Sequence, residues 1–191
     1  MTVGFALCGS FCTYGKVFPI LEALSKKYDV IPIFSETSQK TGSRFGKSED
    51  FLSQAESVCG HAPLLTIPQV EPIGPKRILD LLVIAPCTGN TLAKLSNGIA
   101  DGPVTMAAKS HLRNGRPVVL AVSTNDALSG AAENIGRLLN RKHYYFVPFR
   151  QDDWAKKPTS MVADFERIPE TIEGALEGRQ VQPVVLGPLP N

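Results

Sequence analysis

Small polar residues follow four of the apolar runs in this 191-residue sequence, and they are the residues best suited to bind a ligand. Glycine lets the backbone approach a ligand closely, and Ser and Thr hydroxyls donate hydrogen bonds. The N–H groups at the start of a following helix favour an anion without any need for Arg or Lys. This pattern predicts a phosphate-type cofactor site, whose expected members are Gly9, Ser10, Ser35, Thr37, Pro86, Cys87, Thr88, Asn90, Thr91, Ser123 and Asn125.

Each of these residues also has a plain structural explanation. Gly9 could form only a tight turn, and Thr88 or Asn90 could only cap the next helix. We expect Asn90 to contact the ligand most directly, because its amide group both donates and accepts hydrogen bonds. A nucleophilic role for Cys87 would need a nearby base, and no His is adjacent in the sequence, so packing is the expected role of this thiol.

The histidines and the cationic side chains do not define a catalytic group. His143 precedes a predicted strand, which is the wrong end of a sheet for a ligand site. His61 could act as a base only if the fold brings it to the site. Lys109, Arg113 and Arg116 could meet an anionic ligand, but their spacing fits a solvated helix face equally well. We therefore assign no catalytic residue from the sequence.

Several other kinds of site are excluded by the spacing of residues. The segment GSFCTYG, residues 9–15, lacks the G-x-G-x-x-G fingerprint, and no Walker A motif occurs, so a mononucleotide phosphate fits this chain better than NAD. The four cysteines include no CxxC pair and, with three histidines, match no zinc spacing. A net charge of +2 without a basic block argues against a nucleic-acid partner.

No segment approaches the ~20 consecutive apolar residues that are needed to cross a bilayer. The apolar run at the N-terminus lacks a preceding basic region, so it is expected to be a strand and not a signal peptide. The sequence therefore predicts a cytoplasmic protein without membrane contact. Its length suits a single domain over residues 1–191, of which residues 150–191 form a C-terminal tail.

The elements that must position these residues alternate between strand and helix. Apolar runs predict strands at 3–8, 29–34, 80–85, 117–122 and 144–147. Periodicity predicts helices after the first strand, ending at 26–27, then at 49–58, after the third strand, ending near 97–98, and at 103–113, 127–139 and 169–177. Residues 39–48 and 60–74 are expected to be irregular, with room for one short strand in the second of these segments.

A strand, a helix and a second strand within about 30 residues are typical of a parallel sheet. The predicted fold class is therefore α/β, with a doubly wound, Rossmann-like open parallel sheet and helices on both faces. In such sheets a ligand binds at the carboxyl ends of the strands, where the strand order reverses. The four polar segments follow predicted strands, so we expect them to meet at that edge.

Two segments resemble known flavoproteins. CGSFCTY, residues 8–14, resembles the TGSIAAY opening of the flavin-containing cysteine decarboxylases, and APCTGNTLAKLSNGIAD, residues 85–101, resembles their A-P-A-T-A-N-T-x-A-K-x-A-x-G-x-A-D motif. The Pro-Cys-Thr start of the second segment also resembles the flavin prenyltransferases. This resemblance covers most of residues 1–140, and it implies a flavoprotein-type domain, bound FMN and a homo-oligomer.

The sequence departs from both enzyme types at their reactive positions. The catalytic His of the decarboxylases would fall at Pro72, eight residues before Asp80. Their P-x-M-N substrate motif retains only Asn125, and Ser123 stands where the prenyltransferases have an arginine. The resemblance therefore argues against decarboxylation by this chain.

The variant motifs instead resemble those of a flavoprotein-family member that works with a different, second protein. That resemblance implies oxidation of a small-molecule dicarboxylate and a partner that binds NAD(P). Two alternatives remain open. One is a flavin-free scaffold or binding module of the same fold, and the other is a stand-alone FMN-dependent decarboxylase or prenyltransferase.

Overall fold

Seven strands form one sheet in the computed structural model, which describes residues 1–187. They are β1 (Thr2–Leu7), β2 (Asp29–Phe34), β3 (Leu81–Cys87), β4 (Val118–Thr124), β5 (Tyr144–Phe146), β6 (Phe149–Arg150) and β7 (Met161–Ala163). Strands β2, β1, β3, β4 and β5 are parallel and adjacent in that order. Strand β7 is antiparallel to both β4 and β6.

The three central strands are buried because helices cover the sheet. All seven residues of β3 are buried, as expected for a continuous apolar strand in a parallel sheet. The register pairs Ala6 with Ile84 and Leu82 with Val118, so β1, β3 and β4 end at one edge of the sheet.

Eight α-helices occur within residues 1–187. They are α1 (Tyr14–Ser25), α2 (Glu36–Lys40), α3 (Ser48–Cys59), α4 (Ile67–Val70), α5 (Gly89–Ser96), α6 (Pro103–Leu112), α7 (Ala132–Leu139) and α8 (Ile168–Leu176). Helix α1 packs against α3, and α5 packs against α6 and α7. The predicted α/β class, with a mostly parallel sheet and helices on both faces, is confirmed. No helix in the described part of the chain is long and apolar enough to cross a membrane.

The last part of the chain differs most from the prediction. Residues 150–191 were expected to form a tail with one helix, which is present as α8. The same region also supplies β7, which pairs with the end of β4 through Ser123 opposite Val162 and Thr124 opposite Met161. The sequence did not reveal β6 and β7, because these strands of two and three residues lie in or beside a segment that is rich in proline and charge.

Two predicted boundaries also differ from the structure, and two short helices were not predicted. Strand β3 continues to Cys87, two residues beyond the predicted end. Helix α7 begins at Ala132, because turns occupy residues 127–131 of the predicted helix. Helix α4 lies wholly within residues 60–74, where the proline-rich composition predicted irregular structure. Helix α2 overlaps the start of the polar segment 39–48, which was also predicted to be irregular.

Candidate functional site

The carboxyl edge of the sheet carries two adjoining cavities. The first cavity, of about 290 Å³, includes among its lining residues six of those predicted from the sequence: Gly9, Ser35, Thr37, Thr88, Asn90 and Thr91. The second cavity, of about 450 Å³, includes Gly9, Ser10, Thr88, Ser123 and Asn125. Gly9 and Thr88 line both cavities, so the two cavities adjoin at these residues.

The strand order explains why the site forms at this edge. From β1 the chain crosses to β2 on one side, whereas β3 pairs with the other side of β1. The connections therefore diverge between β1 and β3, and this divergence opens a crevice at the carboxyl ends. Gly9 follows β1 and Thr88 follows β3, so both residues lie at this crevice.

Gly9 stands where the turn after β1 meets helix α2. A Cβ atom at this position would lie 2.8 Å from Cγ2 of Thr37, which is closer than such atoms approach in proteins. The turn itself is closed by the Ser10 N–H group, which donates to the Cys8 carbonyl at 2.8 Å. Glycine therefore allows the close approach of this turn to Thr37 at the first cavity.

Helix α5 is capped by Thr88 and not by Asn90. The Thr88 hydroxyl accepts a hydrogen bond from the Thr91 N–H group at 3.4 Å, and the two hydroxyl oxygens lie 3.1 Å apart. The side chain of Asn90 is exposed in the first cavity and has no hydrogen-bond partner among residues 1–187. Its amide donors and acceptor are therefore available to a ligand.

Ser10 and Ser123 join two loops that follow non-adjacent strands. Their hydroxyl oxygens lie 2.8 Å apart and share a hydrogen bond. Strand β3 lies between β1 and β4, so this bond spans the end of β3 and helps to form the floor of the second cavity.

Pro86 and Cys87 are buried in β3 and line neither cavity. Burial raises the pKa of the Cys87 thiol well above its usual range, and the nearby Cys8 adds to the effect. Burial likewise raises the pKa of Cys8 to about 11, although its sulfur accepts a hydrogen bond from the Thr91 hydroxyl. Both thiols are therefore neutral at physiological pH and unsuited to nucleophilic chemistry.

The histidines lie away from both cavities. His61 Nε2 lies 2.7 Å from an Asp29 carboxylate oxygen at the start of β2, on the opposite edge of the sheet. His143 is exposed just before β5, as predicted, and His111 is fully buried and donates to the Pro117 carbonyl. Pro72, where the decarboxylases have their His, lies in a short 3-10 turn.

The cationic side chains at the end of α6 and in the turn after it do not reach the site. Arg116 donates to the carbonyls of Leu79 and Arg77 and pairs with Asp80 at 3.3 Å, all near the amino ends of the strands. Lys109 and Arg113 line neither of the two cavities. Their expected role as a solvated face therefore agrees with their position.

The sequence missed several residues that line the site. Lys94 lines the first cavity, where its ammonium group binds the Asp101 carboxylate at 2.8 Å and holds the pKa of that carboxyl below its usual range. Arg44, Phe45 and Lys157 line the second cavity from two long connections. These connections carry no recognisable motif, so only the fold reveals that they reach the site.

A mostly parallel sheet with hydroxyl-rich loops at its carboxyl edge is a doubly wound α/β fold. The chain belongs to the Flavoprotein family, whose model matches residues 1–173. It is 46% identical over 185 residues to the B subunit of dipicolinate synthase from Bacillus subtilis (strain 168), and the match covers 96% of this chain and 92% of that protein. The resemblance that the motifs indicated is confirmed.

Two solved structures agree with this assignment. The B subunit of dipicolinate synthase from Bacillus halodurans C superposes with a TM-score of 0.90 at 45% identity, over 98% of this chain and 97% of that one. The FMN-dependent cysteine decarboxylase SpaF superposes with a TM-score of 0.67 at 22% identity, over 92% of this chain and 97% of that one. The second similarity concerns the fold alone.

Proposed function

We propose that this chain acts as the B subunit of a dipicolinate synthase, in the cytoplasm of a sporulating cell. With the A subunit of that enzyme, which would bind NAD(P), it would oxidise dihydrodipicolinate to dipicolinate. The similarity to two proteins of that name supports the assignment. The observation that carries it is the pair of adjoining cavities at the carboxyl edge, whose linings include hydroxyl and amide groups and which have room for a small ligand beside a phosphate.

The residues present fit a flavin phosphate. The donors of the first cavity are mostly uncharged hydroxyl and amide groups next to the first turn of α5, which is eight residues long. The charged donor there is the ammonium group of Lys94, which is paired with Asp101. Such a set favours a phosphate through hydrogen bonds and the helix dipole. The absent Cβ of Gly9 leaves room against Thr37. We expect FMN to be held by Gly9, Ser10, Ser35, Thr37, Thr88, Asn90, Thr91, Ser123 and Asn125.

Bound flavin supplies a group that can accept and return electrons. The chain's own residues would bind and orient the reactants, because the described part of the site contains no histidine and the buried thiols Cys8 and Cys87 are neutral. The partner's nicotinamide would take up the hydride that leaves the dihydro ring. The family resemblance further supports a homo-oligomer.

The first test is the visible spectrum of the purified protein, before and after FMN addition and desalting. A retained flavin band near one equivalent per chain is the expected result. Mixing with the A subunit should then give oxidation of dihydrodipicolinate, followed by the absorbance of reduced nicotinamide. A protein that retains flavin but never supports this reaction would contradict the proposed role.

The departures from the decarboxylases favour a flavin-free module as the second candidate. His61 is held by Asp29 at the opposite edge, and Thr124 replaces the Met of the substrate motif. A protein that retains no flavin, yet restores activity when it is mixed with the A subunit, would establish this second function. Release of carbon dioxide by the isolated chain would instead indicate a stand-alone decarboxylase.

A further inference from the structure

The second cavity has a positively charged rim that the motifs do not explain. Three of its lining residues carry full charges at neutral pH: Arg44, Asp152 and Lys157. Lys157 pairs with Asp152 at 3.0 Å, so these two charges offset each other. Arg44 forms no ion pair within residues 1–187. The cavity therefore keeps one uncompensated guanidinium group.

Arg44 lies at the tip of a closed turn. The Ser43 N–H group donates to the Gly46 carbonyl at 3.0 Å, and the Gly46 N–H group donates back to the Ser43 carbonyl at 3.2 Å. Arg44 and Phe45 occupy the two positions between them, with the guanidinium carbon 4.9 Å from the centre of the Phe45 ring. The aromatic ring restricts the guanidinium group without using its N–H donors.

The turn is fixed to the core beside the cavity. Gly46 has a φ of 148°, and a Cβ there would lie 2.7 Å from the end of the Phe51 ring, so the turn rests directly on that ring. Phe51 in turn stacks on Phe11 with ring centres 6.3 Å apart, and Phe11 lines the second cavity. The position of the turn that carries Arg44 is therefore set by packing, and the Arg44 side chain itself is exposed.

We propose that the second cavity binds the dicarboxylate and that Arg44 pairs with one of its carboxylate groups. The floor of the cavity supplies neutral donors from Ser10, Ser123 and Asn125, which the acid would share with the flavin bound beside it. A concave site with one free guanidinium and several hydroxyl and amide groups suits a small, planar, doubly charged acid. This inference rests on the proposed function for the identity of the acid. Beyond that function, it identifies Arg44 as the residue that selects the acid.

The test is calorimetric titration of the full chain with dipicolinate, in parallel for the wild type, Arg44→Gln, Arg44→Lys and Lys47→Gln. Lys47→Gln is the matched control, because it removes the same charge from the same connection and lines neither cavity. Arg44→Gln should weaken binding about tenfold or more, since hydrogen bonds to charged groups are the strong ones. The affinity of Arg44→Lys for dipicolinate should lie between those of the wild type and Arg44→Gln. The affinity of Lys47→Gln should stay within about twofold of the wild type.

Three outcomes would overturn the inference. They are the absence of dipicolinate binding by the wild type with or without FMN, equal binding by Arg44→Gln, and equal competition by inorganic phosphate. If Arg44→Gln no longer bound the A subunit but still bound dipicolinate, the inference would also fall, because the side chain would then serve a protein interface. The flavin spectrum of each variant is recorded alongside. Arg44-dependent binding without retained flavin would uphold this inference and reject the redox proposal.

Discussion

The hydroxyl groups of Ser10 and Ser123 meet at 2.8 Å across the end of β3, although 113 residues separate them in the chain. Ser123 is almost fully buried and Ser10 is half-buried, so water replaces this bond poorly if one partner is removed. The bond ties the turn after β1 to the end of β4, and β4 is itself paired to β7 at the same residue. The geometry of the second cavity therefore depends on this contact.

A double-mutant cycle on these two residues measures the bond. Ser10→Ala and Ser123→Ala should each lower the free energy of unfolding by about 0.5–1.5 kcal/mol, and the double mutant should lose less than their sum. Urea unfolding of the four proteins gives the coupling energy. Strict additivity would mean that the two hydroxyls do not interact in solution.

Asn90 and Thr88 should separate ligand binding from helix stability. Asn90→Ala should weaken FMN retention by about tenfold and leave the free energy of unfolding within about 0.5 kcal/mol, because the Asn90 amide has no partner within residues 1–187. Thr88→Ala should lower stability by about 1 kcal/mol, because it removes the cap of α5. Equilibrium dialysis against FMN and urea unfolding together check both results. A stability loss in Asn90→Ala as large as that in Thr88→Ala would reject this division.

Gly89 should tolerate no side chain, although the decarboxylase motif has alanine at this position. A Cβ atom there would lie 2.6 Å from the Thr124 hydroxyl and 2.8 Å from an Asp126 carboxylate oxygen. Gly89→Ala should therefore lower the free energy of unfolding by about 1–3 kcal/mol. Gly136→Ala is the control, since nothing lies within 4 Å of its Cβ position in helix α7, and it should raise stability by about 0.5–1 kcal/mol. Thermal unfolding gives the melting temperatures of both variants. Equal melting temperatures would contradict the crowding at Gly89.

The four thiols should react in an order set by burial. Cys12 is exposed at the second cavity, whereas Cys8 and Cys87 are buried with raised pKa values and Cys59 is half-buried with a pKa of about 11. Iodoacetamide at pH 8 should modify Cys12 first and reach Cys8 and Cys87 only after unfolding, because the thiolate is the reactive form. Mass spectrometry of peptides over a time course gives the order, and Cys12→Ser should remove the fast phase. Early modification of Cys87 would show that β3 opens in the native protein.

His111 should make the fold sensitive to mild acid. Burial lowers its pKa from 6.5 to about 4, and its Nδ1 atom has no partner among residues 1–187. Between these two values the unfolded chain binds a proton at His111 and the folded chain does not, so stability falls as the pH drops from 6.5 towards 4. His111 should lower the free energy of unfolding by at most about 3 kcal/mol over this pH range.

The measurement is the pH dependence of thermal unfolding for the wild type, His111→Asn and His143→Asn. The first variant should have a shallower slope in this range, whereas the second, at an exposed site, should keep the slope of the wild type. Identical slopes in all three proteins would place the acid sensitivity elsewhere.

The sequence could predict the core of the fold and one half of the site. Continuous runs such as residues 81–85 identify buried strands, and the residues that end them must lie at one edge of a parallel sheet. The sequence therefore places Gly9, Thr88 and Asn90 at that edge without a structure, and all three line the first cavity there. Pro86 and Cys87 belong to the same motif but are buried, because β3 extends through them, and a motif alone does not tell a strand end from a loop.

The other half of the site could not be predicted, because it comes from connections with no period. The turn that carries Arg44 is four residues long, and β7 has three. Both are positioned by long-range packing, on Phe51 for the turn and on the end of β4 for the strand. Such contacts have no signature in a single sequence.

Gly9 and Thr88 form part of the wall of both cavities, so a cofactor in one cavity and an acid in the other would be coupled through these two residues. A cofactor in the first cavity that shifts either residue would change the free energy of acid binding in the second cavity. Thermodynamic reciprocity then requires the acid to change the affinity for the cofactor by the same factor. If bound cofactor raised the affinity for the acid by about tenfold, loss of the acid would lower the affinity for the cofactor by the same factor. Retention of the cofactor and release of the product would then be two measures of one coupling free energy, set by two residues.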